Sequence, residues 1–409
     1  MKAVRTQILR ATPLVGAVAL SSSATTQAAD KTNIVFILTG NLGCGEFGCC
    51  GGGGGLARRK VTLGEALSDA GDANDRCGKW RLGSREGRLA HNHEFDAWHG
   101  IRRTTDETRW PSSPGWSPAI MSAELSTEGK KGEQRRELPI DDVHERGLMG
   151  AEITQRSVGF IEREAKFAKP FFAYVALAQP HLPTEPNPSF AGNTSSSDWA
   201  DMLAEMAASV DQILDAVDKV GARDNTISIF TSDIGPEFFS PWDGWAGPWR
   251  EPYFTAWQGG IGVPFLIRWP GKIAAVRVSH EMAHGVDRFA TLAKFDGTHG
   301  PAERPMDRLN QSDFLLGKTE SSPRAGFPII GAERLRAVKW RHWKRQSMRQ
   351  HHLFDKQVKR PAPTIHSLYT DPREEKPTAD PWGRGSDSEN RGRVPCTHEK
   401  QSAHLNGHT

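Results

Sequence analysis

Continuous apolar runs alternate with amphipathic stretches along most of the chain. Three runs of apolar, β-branched and aromatic residues have the pattern of strands buried on both faces: residues 33–38 (NIVFIL), 170–176 (PFFAYVA) and 226–231 (TISIFT). Three stretches carry apolar residues at helical spacing: residues 61–70, 149–166 and 201–220. Strands that alternate with helices predict an α/β fold, in which a mostly parallel sheet is sandwiched between helices.

Weaker patterns predict the connecting segments. Residues 261–269 (IGVPFLIRW) are a candidate fourth strand. Residues 77–83 (CGKWRLG) are bounded by glycines and are expected to form a loop. Residues 100–131 are rich in Pro, Ser, Trp and Thr, and we expect an irregular excursion there.

The apolar pattern also divides the chain into parts. The α/β domain is expected to span residues 30–320, and a small antiparallel subdomain is expected to follow at residues 321–371. Within that subdomain, residues 337–343 (AVKWRHW) predict a half-buried strand. Residues 372–409 are polar, with few apolar positions, and predict a disordered tail.

Residues 1–28 have the pattern of an export signal. A basic start is followed by an apolar stretch at residues 13–20 (PLVGAVAL) and then by small residues that suit a cleavage site. A short buried helix and an amphipathic transit peptide are the alternatives. The apolar stretch is too short for a helix that spans a bilayer, and no later stretch reaches ~18 apolar residues. We therefore expect an exported protein, periplasmic or secreted, without a membrane span.

Composition narrows the classes of protein further. The chain has 409 residues and a formal net charge of +3, so it can bury a large core and is not a strongly basic nucleic-acid binder. We expect no nucleic-acid partner. Its 5 cysteines are too few for a disulfide scaffold. Five consecutive glycines at residues 51–55 are unusual within a folded domain.

Polar side chains follow three of the predicted strands at the points where those strands end. Asn41, His181 and Asp233 stand there. Because ligands of parallel α/β sheets bind outside the carboxyl ends of the strands, the three residues predict a hard-cation or oxyanion site. The alternative is that each residue caps a turn or a helix, as Asn and Asp often do.

Several segments in this order resemble the sulfatases of the alkaline-phosphatase superfamily. The similar segments are residues 31–49 (KTNIVFILTGNLGCGEFGC), 61–83 (ending in GKWRLG), 94–115, 179–183 (QPHLP), 203–237 (with FTSDIGPE) and 258–273 (QGGIGVPFLIRWPGKI). The resemblance covers the chain from residue 31 to about residue 371. Several motifs in the same order are much more specific than any one of them alone.

The resemblance implies sulfate-ester hydrolysis of the arylsulfatase type. In such enzymes a cysteine in a Cys-x-Pro-x-Arg motif is oxidised to formylglycine, and a divalent cation, usually calcium, binds the sulfate oxygens. By this resemblance, Lys79 and His181 match residues that contact the sulfate group and the leaving oxygen. Asp233 and Asn41 match metal ligands. The implied substrate is a sulfate ester or a sulfated glycan.

The sequence also departs from the family pattern. Gly40 stands where the family has its first metal aspartate, and Ile234 stands where it has a metal-binding Asn or His. Arg81 replaces the histidine of the Gly-Lys-Trp-His loop. Tyr253 stands where many members of the family have a second sulfate-binding lysine, and Arg250 is a nearby cation that could partly substitute for it. No Cys-x-Pro-x-Arg or Ser-x-Pro-x-Arg occurs in the sequence, so formylglycine has no residue on which to form.

These departures predict an impaired or inactive sulfatase. Asn41 and Asp233 are too few ligands for calcium, which takes ~6–8 oxygens, so we expect weak or absent binding. A non-catalytic binder of sulfated glycans or other polyanions is the alternative function. A third possibility is a truncated or miscopied gene, because the glycine run lies where the nucleophile segment is missing.

Two further clusters have open interpretations. Cys44, Cys49 and Cys50 lack the paired spacing of strong zinc sites, which leaves a disulfide or free thiols as well as zinc. Residues 339–349 (KWRHWKRQSMR) intersperse aromatic residues among cations. That run could bind a polyanion, or it could be the solvated face of a strand.

Overall fold

The computed structural model describes residues 31–40, 61–83, 88–93, 95–105, 111–112, 115–120, 123–131, 136–140, 142–167, 169–239, 242–250, 253–299, 307–331, 333–352 and 354–378. The elements below belong to one compact unit that begins at Thr32. The predicted signal peptide, Asn41, the cluster of three cysteines, the glycine run and residues 379–409 lie outside the described residues.

A large mixed sheet is the centre of the fold. Its strands in the described chain are β1 (Asn33–Thr39), β2 (Ala73–Gly78), β3 (Ala97–Ile101), β4 (Glu124–Lys130), β5 (Arg136–Ile140), β6 (Phe171–Ala176), β7 (Thr226–Ser232) and β10 (Phe265–Arg268). Their order across the sheet is β10-β7-β1-β6-β2-β3-β4-β5. The five strands from β7 to β3 are parallel to one another, and each strand outside them pairs antiparallel with its neighbour. A separate hairpin pairs β8 (Phe238–Phe239) with β9 (Trp242–Asp243).

Helices cover both faces of this sheet. The described helices are α1 (Leu63–Asp69), α2 (Val143–Lys166), α3 (Asp198–Lys219), α4 (Gln258–Ile261), α5 (Asp287–Asp296) and α6 (Ser312–Leu315). Helices α2 and α3 pack with Val35 and Ile37 of β1 in one apolar cluster. Leu67 of α1 and Leu292 of α5 lie in the cluster on the opposite face. Since alternate residues of a strand point to opposite faces, β1 is apolar from Ile34 to Leu38.

Polar caps determine where the main helices begin. The Thr62 hydroxyl accepts the Glu65 amide hydrogen, while the Glu65 carboxylate accepts the amide hydrogen of Thr62. Asp142 accepts the amide hydrogen of Glu145 at 3.0 Å, and Ser197 begins α3 in the same way. Such caps satisfy amide hydrogens that have no acceptor within the helix.

The C-terminal part of the described chain forms a second, antiparallel sheet. It contains β11 (Gly326–Gly331), β12 (Arg334–Trp340), β13 (Trp343–Arg349) and β14 (Val358–Ser367), paired in that order. Glu374, beyond the last strand, is buried against this sheet and accepts a hydrogen bond from the Lys344 ammonium at 3.0 Å. The packed structure thus extends past the boundary expected at residue 371.

The structure confirms the fold class and changes several elements. The segment expected to be a loop at residues 77–83 begins within strand β2, and part of the excursion at residues 100–131 is strand β4. The candidate fourth strand is split into helix α4 and strand β10, which runs antiparallel to β7. In the described part of the chain, no helix is long and apolar enough to cross a membrane.

Candidate active site

The carboxyl ends of the parallel strands bring the predicted site residues to one edge of the sheet. Lys79 directly follows β2, His181 lies in the turn after β6, and Asp233 follows β7. Strand β1, between β6 and β7, ends at Thr39, just before Gly40. This is the edge at which parallel α/β sheets bind their ligands.

Lys79 is almost completely enclosed, with 2% of its surface exposed. Its Nζ lies 3.5 Å from the carbonyl oxygen of Gly40, and its backbone amide donates to Ala176 at 3.3 Å. These contacts bind the end of β2 to the ends of β1 and β6. The ammonium group is therefore held inside the edge of the sheet, where low local polarity strengthens its attraction for an anion.

His181 is buried among hydroxyl and carbonyl groups. Its Nε2 lies 3.1 Å from the Thr104 hydroxyl, and its Nδ1 lies 3.1 Å from the Leu182 carbonyl and 3.4 Å from the Thr105 hydroxyl. The Glu237 carboxylate is 3.8 Å from Nδ1. The Leu182 carbonyl can only accept, so it favours a hydrogen on Nδ1 and leaves Nε2 as an acceptor for Thr104.

Burial and neighbouring cations keep this imidazole neutral. Burial, together with the positive charges of Lys79, Arg146 and Arg81, places the pKa of His181 well below its ordinary value. The Leu182 carbonyl acts in the opposite direction. A neutral histidine at this edge can orient an ester by hydrogen bonding, while Lys79 supplies the positive charge.

A buried arginine holds the His181 turn from below. Arg146 of α2 donates through Nη2 to the His181 carbonyl at 2.8 Å and to the Ala178 carbonyl at 3.4 Å. Burial lowers the pKa of Arg146 to about 10, although the carboxylates of Glu205, Glu185 and Glu237 act to raise it. The guanidinium therefore stays charged at neutral pH and fixes the backbone that carries His181.

The described residues do not fit a hard-cation site. Asp233 is half-buried at the end of β7, but Gly40 has no side chain and Ile234 has no ligand atom. Across the described ranges, no group of three or more His, Cys, Asp or Glu side chains could hold a metal ion. Calcium takes ~6–8 oxygen ligands, so a single carboxylate is a poor donor set.

A guanidinium lies within electrostatic reach of Asp233. Arg288 of α5 lies over the Phe36 ring at 5.1 Å and donates to the Thr231 hydroxyl at 3.4 Å. Burial lowers its pKa, and the charge of Asp233 acts against that change. The carboxylate thus already has a cation close to it.

The structure places three of the four predicted site residues at one edge of the sheet, and the fourth, Asn41, is outside the described residues. The sequence interpretation missed the residues that support His181: Thr104, Thr105, Arg146 and Glu237. The sequence did contain one indication of the role of Arg146. An arginine on the apolar side of an amphipathic helix needs a buried hydrogen-bond acceptor.

Comparison with known proteins identifies the family. A family model described as Sulfatase matches residues 12–297, which is more than half of the chain. The protein belongs to the sulfatase family, whose fold is of the alkaline-phosphatase type. The resemblance inferred from the sequence motifs is therefore confirmed.

Individual relatives agree with this assignment. The chain is 31% identical to arylsulfatase G of Mus musculus over 324 residues, covering 71% of this chain and 61% of the relative. It is 30% identical to N-acetylgalactosamine-6-sulfatase of Canis lupus familiaris over 270 residues, which cover 64% of this chain and 50% of the relative. The crystal structure of the PsFucS1 sulfatase from Pseudoalteromonas sp. matches with a TM-score of 0.78 and 22% identity, covering 92% of this chain and 90% of that one. The last match shows the shared fold. The chain spans about half to three fifths of the length of these curated relatives.

Proposed function

We propose that the chain binds a sulfate ester at Lys79 and His181 and hydrolyses it slowly or not at all. The observation that carries this proposal is a buried ammonium beside a buried neutral imidazole at the carboxyl edge of the sheet. Together these groups supply a charge and a hydrogen-bonding side chain for the sulfate oxygens. They suit binding of the ester without supplying a nucleophile.

The missing nucleophile supports the second half of the proposal. The covalent route of sulfatases requires the Cys-x-Pro-x-Arg motif, and this sequence does not contain it. His181 is a poor replacement for the base that would activate water, because burial and the nearby cations disfavour its protonated form. We therefore expect the bound ester to remain intact on the time scale of a normal turnover.

A sulfated sugar is the proposed substrate class. One curated relative is named N-acetylgalactosamine-6-sulfatase. One structural neighbour is described as a complex with its substrate D-glucosamine-2-N,6-O-disulfate. The alternative function, a non-catalytic binder of sulfated glycans, is favoured by the same facts: Lys79 and His181 are present while the nucleophile motif is absent.

An assay with an aryl sulfate tests the hydrolytic part. The full chain and its Lys79→Ala variant are incubated with p-nitrophenyl sulfate, and Lys219→Ala, which removes an exposed lysine, serves as the control. We expect the wild-type rate to be equal to that of Lys79→Ala or only slightly above it. A wild-type rate far above that of Lys79→Ala, and preserved in Lys219→Ala, would contradict the proposed impairment.

We also propose that calcium binding is weak or absent.

A location outside the cytoplasm is a further part of the proposal. The signal-like sequence of residues 1–28 supports this location. Determination of the mature N-terminus after expression in a secreting host tests it. A mature chain that keeps these residues would contradict export.

A further inference from the structure

A second group of cationic side chains lies where the small sheet meets the main domain. Arg250 precedes α4, Arg349 ends β13, His351 follows that strand, and Arg360 belongs to β14. We call these four residues the arginine cluster. They come from three separate stretches of chain, so the tertiary fold assembles the cluster.

Arg250 and His351 are held together on an aromatic platform. The Arg250 guanidinium lies 3.8 Å from the centroid of the Trp257 ring, and its Nη2 is 2.9 Å from Nδ1 of His351. Trp257 in turn donates from Nε1 to the carbonyl of Gln350 at 2.8 Å. The stacked guanidinium keeps much of its charge available, because a ring face replaces little of the hydrogen bonding that an anion would supply.

Arg349 and Arg360 extend the cluster across two paired strands. Arg349 lies opposite Val358, and Arg360 is two residues further along β14. Side chains two residues apart on a strand point to the same face, so Arg360 lies diagonally across from Arg349. Arg349 is exposed and Arg360 is half-buried. The buried Nε of Arg360 has no hydrogen-bond partner among the described residues.

The carboxylates near the arginine cluster form their own hydrogen bonds or ion pairs with residues outside it. Three of them have side-chain partners of their own: Glu374 with Lys344 at 3.0 Å, Asp371 with His366 at 2.8 Å and Glu375 with Arg373 at 3.1 Å. A fourth, Asp355, accepts the amide hydrogen of His352 at 3.0 Å, and its charge acts to raise the pKa of His351. Burial, and then the charges of Arg349 and Arg250, lower the pKa of Arg360. The cluster therefore has an excess of positive charge.

Backbone contacts place the cluster beside the candidate active site. The amide of Gly235, two residues after Asp233, donates to the carbonyl of Gly260 at 3.0 Å. The amide of Gly259 donates to the carbonyl of Arg250 at 2.7 Å. A Cβ atom at Gly235 would lie 1.8 Å from the carbonyl oxygen of Gly259, so these turns touch directly. Arg250 is thus two backbone hydrogen bonds away from the Asp233 loop.

We propose that the arginine cluster is a second anion subsite, which binds a sulfate or carboxylate group of a sulfated glycan while its ester sulfate occupies the Lys79–His181 site. This subsite rests on the proposed function, because the first anchoring group is the ester at Lys79. The observation behind this proposal is that the guanidinium groups of Arg250, Arg349 and Arg360 lie together. Such a group of positive charges favours a polyanionic sugar chain over a simple aryl sulfate, which has a single charge.

Titration calorimetry on the full chain tests the subsite with two ligands. One is a chondroitin 6-sulfate hexasaccharide, and the other is monosulfated N-acetylgalactosamine, which can fill only one site. The test variant combines Arg349→Gln with Arg360→Gln. Lys359→Gln is the matched control, because Lys359 is an exposed cation beside Arg360 that points to the opposite face of β14.

We expect the double variant to raise the Kd for the hexasaccharide about tenfold or more and to leave the Kd for the monosaccharide unchanged. The affinity of the double variant should also depend less on salt concentration, since fewer charge contacts remain to be screened. Equal losses from Lys359→Gln and from the double variant would overturn the subsite, as would an unchanged hexasaccharide affinity.

The outcomes separate this subsite from the proposed function. Titration of Lys79→Ala with the same two ligands makes the distinction. If hexasaccharide binding needs the cluster and Lys79→Ala changes the Kd of neither ligand, the cluster is supported and the Lys79–His181 site is overturned. If Lys79→Ala abolishes binding of the monosaccharide and the hexasaccharide binds wild type no better than the monosaccharide does, the proposed function is preserved and the subsite is overturned.

Discussion

The hydroxyl of Thr104 lies 3.1 Å from Nε2 of His181, although 77 residues separate the two in the chain. Thr104 is completely buried just after β3, and His181 is buried in the turn after β6. The hydroxyl therefore orients the imidazole at the edge of the sheet where Lys79 also lies.

Replacement of Thr104 by valine should disturb His181 without changing the volume of the site. The lost hydrogen bond is worth about 1 kcal/mol, so sulfate-ester binding should weaken about fivefold. Titration followed by NMR of the His181 ring should show a changed pKa. Thr127→Val, which removes another fully buried hydroxyl in β4, is the control and should alter neither quantity. The same effect from both variants would mean that Thr104 acts only through general stability.

Ionisation of the buried Asp75 carboxyl should lower the unfolding free energy of the protein as the pH rises. Burial raises the pKa of this carboxyl to about 6, against a hydrogen bond from Cys77 and nearby cations that act to lower it. A raised pKa in the folded state means that the stability present below about pH 4 is lost as the pH rises through about 6. The full loss is about 3 kcal/mol.

Urea unfolding at several pH values measures this effect. In Asp75→Asn the fall in unfolding free energy between pH 4 and pH 7 should become shallower. Cys77→Ala removes a hydrogen-bond donor to Asp75 but keeps the carboxyl, so the pKa of Asp75 should rise further. The fall in unfolding free energy should then extend to higher pH. Identical pH profiles for wild type and Asp75→Asn would show that Asp75 does not determine the slope.

The buried ion pair between Lys344 and Glu374 should be needed for the stability of the small C-terminal sheet. Both side chains are fully enclosed, and Glu374 also accepts from Gln346 Nε2 at 2.8 Å and from the Gln258 amide at 2.7 Å. Glu374→Ala leaves a buried ammonium without its carboxylate, which costs about 3 kcal/mol or more. Burial already lowers the pKa of Lys344 to about 8, and loss of Glu374 should lower it further.

Chemical denaturation provides the measurement for that pair. Glu375→Ala is the control, because the neighbouring Glu375 is exposed in a surface ion pair with Arg373. We expect a large loss of unfolding free energy for Glu374→Ala and little change for Glu375→Ala. Equal midpoints for the two variants would contradict the structural role of Glu374.

Calcium should change the melting temperature only after the missing ligands are restored. A ligand that binds the native state raises its stability by mass action, so wild type should show no shift at millimolar calcium. The pair Gly40→Asp with Ile234→Asn adds oxygen ligands beside Asp233 and should produce a shift. Gly40→Ala with Ile234→Leu adds bulk without ligands and is the control. A calcium shift in wild type would contradict the expected weak binding.

The sequence predicted the parts of the fold whose pattern is local. Strands β1, β6 and β7 are largely buried on both faces, because helices cover both sides of a parallel sheet. The alternation of strands with helices also predicts that Asp233 and His181 share one edge of the sheet, which is where both lie. The sulfatase motifs led to the same edge, and the family is confirmed.

Strand β2 shows where the local pattern failed. Asn74, Asp75 and Arg76 are polar, so the segment did not resemble a buried strand. The Asn74 side chain donates to the carbonyl of Gly64 at 2.8 Å, and Arg76 lies 4.2 Å from the centroid of the Tyr174 ring. These partners compensate for the burial of the polar groups.

By itself, therefore, the sequence determined the α/β architecture, the family and the positions of His181 and Asp233 at strand ends, whereas only the structure showed that Lys79 follows strand β2. Only the tertiary structure decided that Thr104 contacts His181 and that Glu374 is buried. The physical reason is that a strand end is specified by the residues next to it, whereas a buried polar group is stabilised by partners that lie far away along the chain.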